Sequence, residues 1–434
     1  MSERPTVVFF PEGAYGPTNN CVGIGQVLRE RGARVVFVVE ESFAGTLEAQ
    51  GFEEALMRLK PPTESDEVPG QFWKDFVRET APEFRKPTIE QLEGFILPVW
   101  QELVDGARYV DARLAEIFAE LQPDVIVEDN VVAFPAVPAA GTPWVRIVSC
   151  NPLELKDPAL PPPFSGYPTR ERAGWDGFRA RYRELHEPLQ QEFSDFCVAR
   201  GAPPLPQDEF IHASPFLNLY VYPAEADYER SQPLAPWERL DSCVRKTDAE
   251  FEVPRDERRR IYLSLGSLGS ADVELMQRLI DTLEETDHLV VVSMGPLHDE
   301  LRLGDNMVGA EFLPQPAILP QVDLVITHGG NNTITESLHF GKPTLVLPLF
   351  WDQHDNAQRM DELGLGRRLD TYGHEPAQLV EAIDGLLAEA PLANRLGAIS
   401  ARLQTEPGTA KAADLIASLA ETDQRRSMTS SISP

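Results

Sequence analysis

The sequence predicts an α/β fold built from two doubly wound parallel-sheet domains, and three observations carry that expectation. Apolar runs of strand length alternate with stretches of helical period, and the alternation occurs twice along the chain. At 434 residues the chain exceeds one ordinary core and suits two domains of roughly 200 residues each. Between the two series lies a charged, proline-containing stretch, 228–256, with no sustained period.

In the first series Val7–Phe10, Val35–Val39, Val125–Val127 and Val145–Val148 read as buried strands, and Thr18–Glu30 and Phe95–Leu121 as the clearest helices. In the second, Tyr262–Leu265, Leu289–Val292, Leu324–Ile326 and Thr344–Leu347 repeat the theme. The expected division is a first domain over 1–235, a second over 236–424 and a disordered serine-rich tail over 425–434. The first half departs from the rhythm between Leu59 and Phe95 and again between Asn151 and Ser214. Those departures carry Phe72, Trp73, Phe76, Phe84, Phe164, Tyr167, Trp175 and Phe178. Such aromatics mostly pack their own short helices, but insertions at a sheet rim are where ligand pockets are built, so several are expected to line a roomy apolar site.

Composition excludes some classes of partner. A net charge of −30 repels nucleic acid and anionic membrane alike. The start, MSERP, runs straight into a strand, and no apolar run reaches the ~18–20 residues of a membrane span, so a cytoplasmic protein without membrane insertion is expected. Cys21, Cys150, Cys197 and Cys243 are scattered, with neither disulfide nor metal-ligand spacing.

The most informative stretch is 328–336, HGGNNTITE, with Asp352-Gln353 following. The apolar run Leu324–Ile326 empties into two glycines and a helix that opens with Asn331, Asn332 and Thr333. Glycines admit a close backbone approach, and free N–H groups at a helix start suit a diphosphate. His328 can donate to a phosphate oxygen, Glu336 can accept from a ribose, and an acid beside an amide suits sugar hydroxyls. Taken singly, His328 reads as a sheet-edge histidine, Asn332 and Thr333 as helix caps and Phe312 as core; together they describe a nucleotide-sugar site.

Residues 312–353 resemble the donor signature of family 1 glycosyltransferases, inverting GT-B enzymes that move sugars from UDP- or TDP-sugars to small lipophilic acceptors. The aromatic-x-Pro-Gln opening is Phe312-Leu313-Pro314-Gln315; the centre is His328, Gly330, Asn332, Thr333 and Glu336; Gly341, Pro343 and Asp352-Gln353 close it. Ile261 to Ser267 resembles the first strand of the family's second domain, whose turn, here Gly266-Ser267, meets the diphosphate. The spacing from Gln315 to His328 fits the bacterial natural-product members better than plant ones. The resemblance implies a GT-B architecture, two Rossmann-like domains facing a central cleft, with acceptor binding in the first domain and donor binding in the second. It implies a metal-independent reaction with no cofactor, a UDP-sugar donor and an aromatic, polyketide or terpenoid acceptor, in a monomer or homodimer. Phe312 would stack on the base where the family more often has tryptophan. The polar pair Asp352-Gln353 favours UDP-glucose over a TDP-deoxysugar, which would leave part of it unpaired.

The resemblance breaks at the catalytic base. Family members carry a histidine after the first strand, bonded to an aspartate after a later strand of the same domain. Asp129 matches the aspartate, but Tyr15 stands where the histidine belongs and the first histidine in the chain is His186. Asp129 is the first candidate for base or orienter and Glu12 the second; an acidic acceptor needing little help is the third solution. Tyr15 is a poor base, suited only to orienting the acceptor.

Three other classes fit the chain less well. A nicotinamide-binding enzyme needs GxGxxG at the first strand–helix turn, and Gly13, Gly16, Gly23 and Gly25 do not supply it. A sugar-nucleotide epimerase has no use for a large aromatic acceptor region. The remaining alternative is an auxiliary or non-catalytic nucleotide-sugar-binding protein that has lost the base.

Overall fold

The computed structural model describes residues 4–61, 79–234 and 236–430. The first sheet comprises β1 (Thr6–Pro11), β2 (Arg34–Glu40), β3 (Glu53–Met57), β4 (Val125–Asp129), β5 (Trp144–Val148), β6 (Leu217–Tyr220) and β7 (Trp237–Arg239), in the order β3-β2-β1-β4-β5-β6-β7. The second comprises β8 (Arg260–Ser264), β9 (Leu289–Ser293), β10 (Met307–Ala310), β11 (Leu324–Thr327), β12 (Thr344–Val346) and β13 (Gly366–Arg368), ordered β10-β9-β8-β11-β12-β13. Every pairing is parallel. Strand order reverses between β1 and β4 in one sheet and between β8 and β11 in the other. Crevices that bind ligands open at such switch points, at the strands' carboxyl ends.

The eight expected strands are present. Five more, β3, β6, β7, β10 and β13, were not read from the sequence. Four of them, β3, β7, β10 and β13, are the sheet edges and are short; β3, β7 and β13 also carry charged residues, as in Trp237–Arg239 and Gly366–Arg368, and so lack the continuous apolar run of a central strand.

The helices that position the site are α1 (Tyr15–Glu30), α2 (Leu97–Leu121), α3 (Trp175–Ala199), α4 (Val273–Glu284), α5 (Asn331–His339), α6 (Gln353–Glu362) and α7 (Gly408–Ser430). One face of α1 buries Cys21, Val22, Ile24 and Leu28 against Val7, Phe9, Val35 and Phe37. Asp272 caps α4 by accepting from Leu275 N at 3.0 Å, and Leu275, Met276, Leu279, Ile280 and Leu283 form its buried stripe.

The expected domain limits need correction at both ends. Residue 235 precedes β7, which pairs with β6, so the first sheet extends past it to Arg239. The closing helix α7 leaves the second domain and packs Ala412, Ala413, Ile416 and Ala420 into the first domain's core beside α1. Gly408 permits this return, since a Cβ there would lie 1.8 Å from Leu240 O. Helix α7 also runs on to Ser430, into the expected tail; 431–434 lie outside the described residues.

The opposite face of the first sheet continues into the second domain as one apolar cluster. Phe84 and Phe95 meet Phe350 at 4.9 and 5.0 Å between ring centroids, and Trp100 meets Trp351 at 5.2 Å. Phe84, Phe164, Trp175 and Phe178 are buried in packed surroundings and so are core side chains rather than pocket walls, while Tyr167 is half-buried against Phe178. Phe72, Trp73 and Phe76 lie outside the described residues.

Candidate active site

The two switch points face each other. The first domain presents Glu12, just beyond β1, and Asp129, the last residue of β4; their strands register Pro11 opposite Asp129, and Glu12 N donates to Asp129 O at 2.9 Å. The second presents Gly266 after β8 and His328 after β11. A Cβ at Gly16, in the first turn of α1, would lie 3.8 Å from Asn332 Cβ, in the first turn of α5. Two helix N-termini, neither with a side-chain cap, therefore open toward one gap.

In the second domain Glu336 is buried and bonded through both carboxylate oxygens, with one accepting site left on Oε2. Its Oε2 accepts from Gln315 Nε2 at 2.6 Å, and its Oε1 from Asn332 Nδ2 at 3.1 Å and Arg245 at 3.2 Å. Thr333 Oγ1 reaches Gln315 Oε1 at 3.5 Å. Phe312, 52% exposed, stands at the mouth of this cluster, while Leu313 packs on the core beneath. Arg245 lies in the segment joining the domains, and no sequence signal marked it.

His328 is held by glycines on two sides. A Cβ at Gly266 would fall 2.7 Å from its Cε1, and one at Gly330 2.6 Å from its Nε2. Gly266 also takes φ +71°, in the region that favours glycine. Burial lowers the His328 pKa to about 4, so the ring is neutral at pH 7. Ser267 sits in the single helical turn Gly266–Gly269 beside it.

Three expected donor-site side chains are committed to the protein itself. Asn331 is buried and donates to Val221 O of the first domain at 3.1 Å, because α5 begins at the domain interface. The Gln353 carboxamide oxygen accepts from Leu349 N at 3.1 Å and Phe350 N at 3.2 Å, closing its own loop, so only its amide group is left for a sugar hydroxyl. Asp352 accepts from Asn151 N of the first domain at 2.8 Å and from Asn356 Nδ2 at 3.4 Å, and burial raises its pKa to about 7.

In the first domain Asp129 is sequestered, 2% exposed, with Oδ2 accepting from Ser149 Oγ at 2.5 Å and facing Cys21 Sγ at 3.9 Å. Asn20 Nδ2 donates to the same Ser149 hydroxyl at 3.0 Å. Burial lifts the Asp129 pKa to about 6 against the pull of Ser149. Glu12 is half-buried, and burial first, then the charges of Asp129 and Asp352, raise it to about 7. Tyr15 does not take the place of the dyad histidine at Asp129. It begins α1 half-exposed and lies against Phe43 at 5.5 Å and Phe312 at 6.0 Å between ring centroids.

Known proteins resemble this chain in sequence and in fold. Residues 277–419 match the family model described as erythromycin biosynthesis protein CIII-like, C-terminal domain. Over 408 residues the chain is 24% identical to the NDP-glycosyltransferase YjiC of Bacillus subtilis (strain 168), covering 92% of this chain and 93% of the relative. It is 27% identical over 322 residues to a zeaxanthin glucosyltransferase of Pantoea ananas, covering 70% and 73%. The crystal structure of the glycosyltransferase VinC in complex with dTDP superposes with a TM-score of 0.64 at 18% identity, over 96% of this chain and 100% of that one. The fold is GT-B, and over most of its length the chain is similar in sequence to glycosyltransferases. In this GT-B chain the two domains meet between the sheets through contacts such as Asn151 N to Asp352 and Asn331 to Val221 O. No helix among the described residues is long and apolar enough to cross a membrane.

Proposed function

We propose that the protein is an inverting glycosyltransferase that moves a hexose, glucose in the first instance, from a UDP-sugar to a hydroxyl of a lipophilic small molecule. The observation that carries this reading is the opposition of the cluster around Phe312, Gln315, His328 and Glu336 to a half-buried Glu12 across one cleft. In this reading Phe312 stacks on the base and Glu336 receives the ribose hydroxyls. The neutral His328 and the N-terminus of α5 donate to the diphosphate, with no metal ion invoked. Asp352 and the Gln353 amide group meet the sugar.

Glu12 is the better base. Asp129 was the first expectation, but its carboxylate is enclosed by Ser149 and Cys21, whereas Glu12 reaches the cleft and titrates near neutrality. The acceptor oxygen attacks the anomeric carbon, the bond from that carbon to the diphosphate breaks, and the acceptor's proton passes to Glu12. Asp129 tunes Glu12 through its charge.

The test is incubation with UDP-glucose, UDP-galactose or a TDP-6-deoxysugar and a panel of phenols, flavonoids, steroids, carotenoids and macrolides, read by mass spectrometry. New glycoside masses with UDP-glucose are expected. Comparable turnover with the TDP-6-deoxysugar overturns the donor assignment, and nucleotide binding without any product or free UDP favours the auxiliary-protein alternative.

A further inference from the structure

The helix that opens with the sugar pair is fastened to the other domain by its side chains. Asp355, buried, accepts from Phe164 N at 2.6 Å through Oδ2 and from Gly166 N at 2.8 Å through Oδ1. At the far end of α6, Glu362 accepts from Thr169 N at 3.1 Å and from the Thr169 hydroxyl. Arg368 returns a bond to Gly166 O at 3.0 Å, and Gly166 lies so close that a Cβ there would meet His354 Cβ at 2.9 Å. A first-domain strap, Phe164–Thr169, thus lies along α6.

Strain marks both sides of this contact. Phe164 takes φ +69° and Trp351 φ +56°, conformations that bulky side chains rarely adopt. Their rings meet at 4.6 Å between centroids, and Trp351 immediately precedes Asp352. The pair of N–H bonds to Asp355 holds Phe164 in this conformation and so sets where its ring presses on the loop that carries Asp352.

We propose that Asp355 is a positioning residue for transfer. By holding the strap against α6 it keeps the acceptor side of the cleft seated on the sugar site, so that an acceptor hydroxyl rather than water takes the sugar. This rests on the glycosyltransferase reading above. Transfer and hydrolysis break the same bond, between the anomeric carbon and the diphosphate oxygen, and both release UDP. They differ in whether the new bond forms to acceptor oxygen or to water oxygen, each giving up its proton to Glu12. The strap therefore bears on the partition between the two products and not on nucleotide binding, whose residues lie elsewhere.

The experiment measures glycoside, free sugar and UDP from UDP-glucose with the best acceptor, together with UDP affinity. Asp355→Asn keeps one accepting oxygen and turns an N–H group toward the other backbone N–H. Losing one such bond is worth about fivefold to tenfold, so the ratio of free sugar to glycoside should rise by about that factor while UDP affinity stays within about twofold. Asp355→Glu, which still has two accepting oxygens, should restore the partition. Thr169→Val, which loosens the far end without touching Asp355, should shift it in the same direction even if Asp355→Asn does not fold. An unchanged partition in Asp355→Asn and Thr169→Val with UDP affinity intact overturns the proposal, as does loss of UDP affinity that Asp355→Glu fails to rescue. A wild-type protein that releases no UDP with any donor and acceptor overturns the glycosyltransferase reading instead.

Discussion

The pH dependence of turnover separates the two carboxylates at the cleft. Glu12 is held at about 7, from an ordinary 4.5, chiefly by burial and then by Asp129 and Asp352; Asp129 is held at about 6. A base acts when deprotonated, so kcat/KM should rise with pH and level off above about 7 if Glu12 is the base. Glu12→Gln should remove that limb and lower the rate by about 10²- to 10⁴-fold for an alcohol acceptor, and by less for a phenol. Asp129→Asn takes one negative charge from beside Glu12, so the limb should move to lower pH by up to about one unit, burial being the larger cause. The same shift bears on stability. The folded value lies above the unfolded one, so the native state holds a proton that the unfolded chain has released between about 4.5 and 7. Stability should therefore fall as pH rises through that window, by about 3 kcal/mol at most at 1.36 kcal/mol per unit, and Glu12→Gln should flatten the fall. Steady-state rates over pH 5–9 with a phenol and a matched alcohol, beside thermal melts, measure both. A limb near 6 that survives Glu12→Gln and vanishes in Asp129→Asn would refute the assignment of Glu12.

Three further outcomes follow from the geometry. Gly330→Ala places a Cβ 2.6 Å from His328 Nε2 and should displace the ring, raising KM for the donor at least about tenfold with little change in melting temperature; titration of UDP and a thermal melt check both. Arg245→Ala leaves the buried Glu336 without its cation, a loss that typically costs about 3–5 kcal/mol, so melting temperature and UDP affinity should fall together and Arg245→Lys should recover part of each. Gly408→Ala brings a methyl group within 1.8 Å of Leu240 O and should lower the denaturation midpoint by detaching α7, read by urea unfolding followed through circular dichroism.

How much was legible in the sequence varies with what each residue touches. Central strands such as Val7–Phe10 and Leu324–Ile326 are buried on both faces and announce themselves as apolar runs, whereas edge strands such as Gly366–Arg368 do not. The donor motif was legible because its members follow one another along β11, α5 and the start of α6. Its partners were not: Arg245 reaches Glu336 across 91 residues and Asn151 reaches Asp352 across 201. The same gap explains the readings that changed. Asn331 and Gln353 looked like ligand donors because their own protein partners, Val221 O and the Leu349–Phe350 backbone, leave no trace in the local pattern. Which of the aromatics in 59–95 and 151–214 line a pocket was not legible, because an aromatic, proline-rich stretch reads alike whether its rings face a ligand or, as with Phe164 and Trp175, the core.

The return of α7 to the first domain bears on how the chain is made. Residues 1–239 leave the ribosome first with a complete seven-stranded sheet, yet the apolar groove beside α1 waits for Ala412, Ala413, Ile416 and Ala420. The first domain can therefore finish folding only after the second has been synthesised. A stop codon anywhere between 240 and 408 should yield a product with an unsealed apolar stripe along α1, a substrate for chaperones and proteases rather than a stable first domain. The two halves are distinct in architecture but inseparable in biosynthesis.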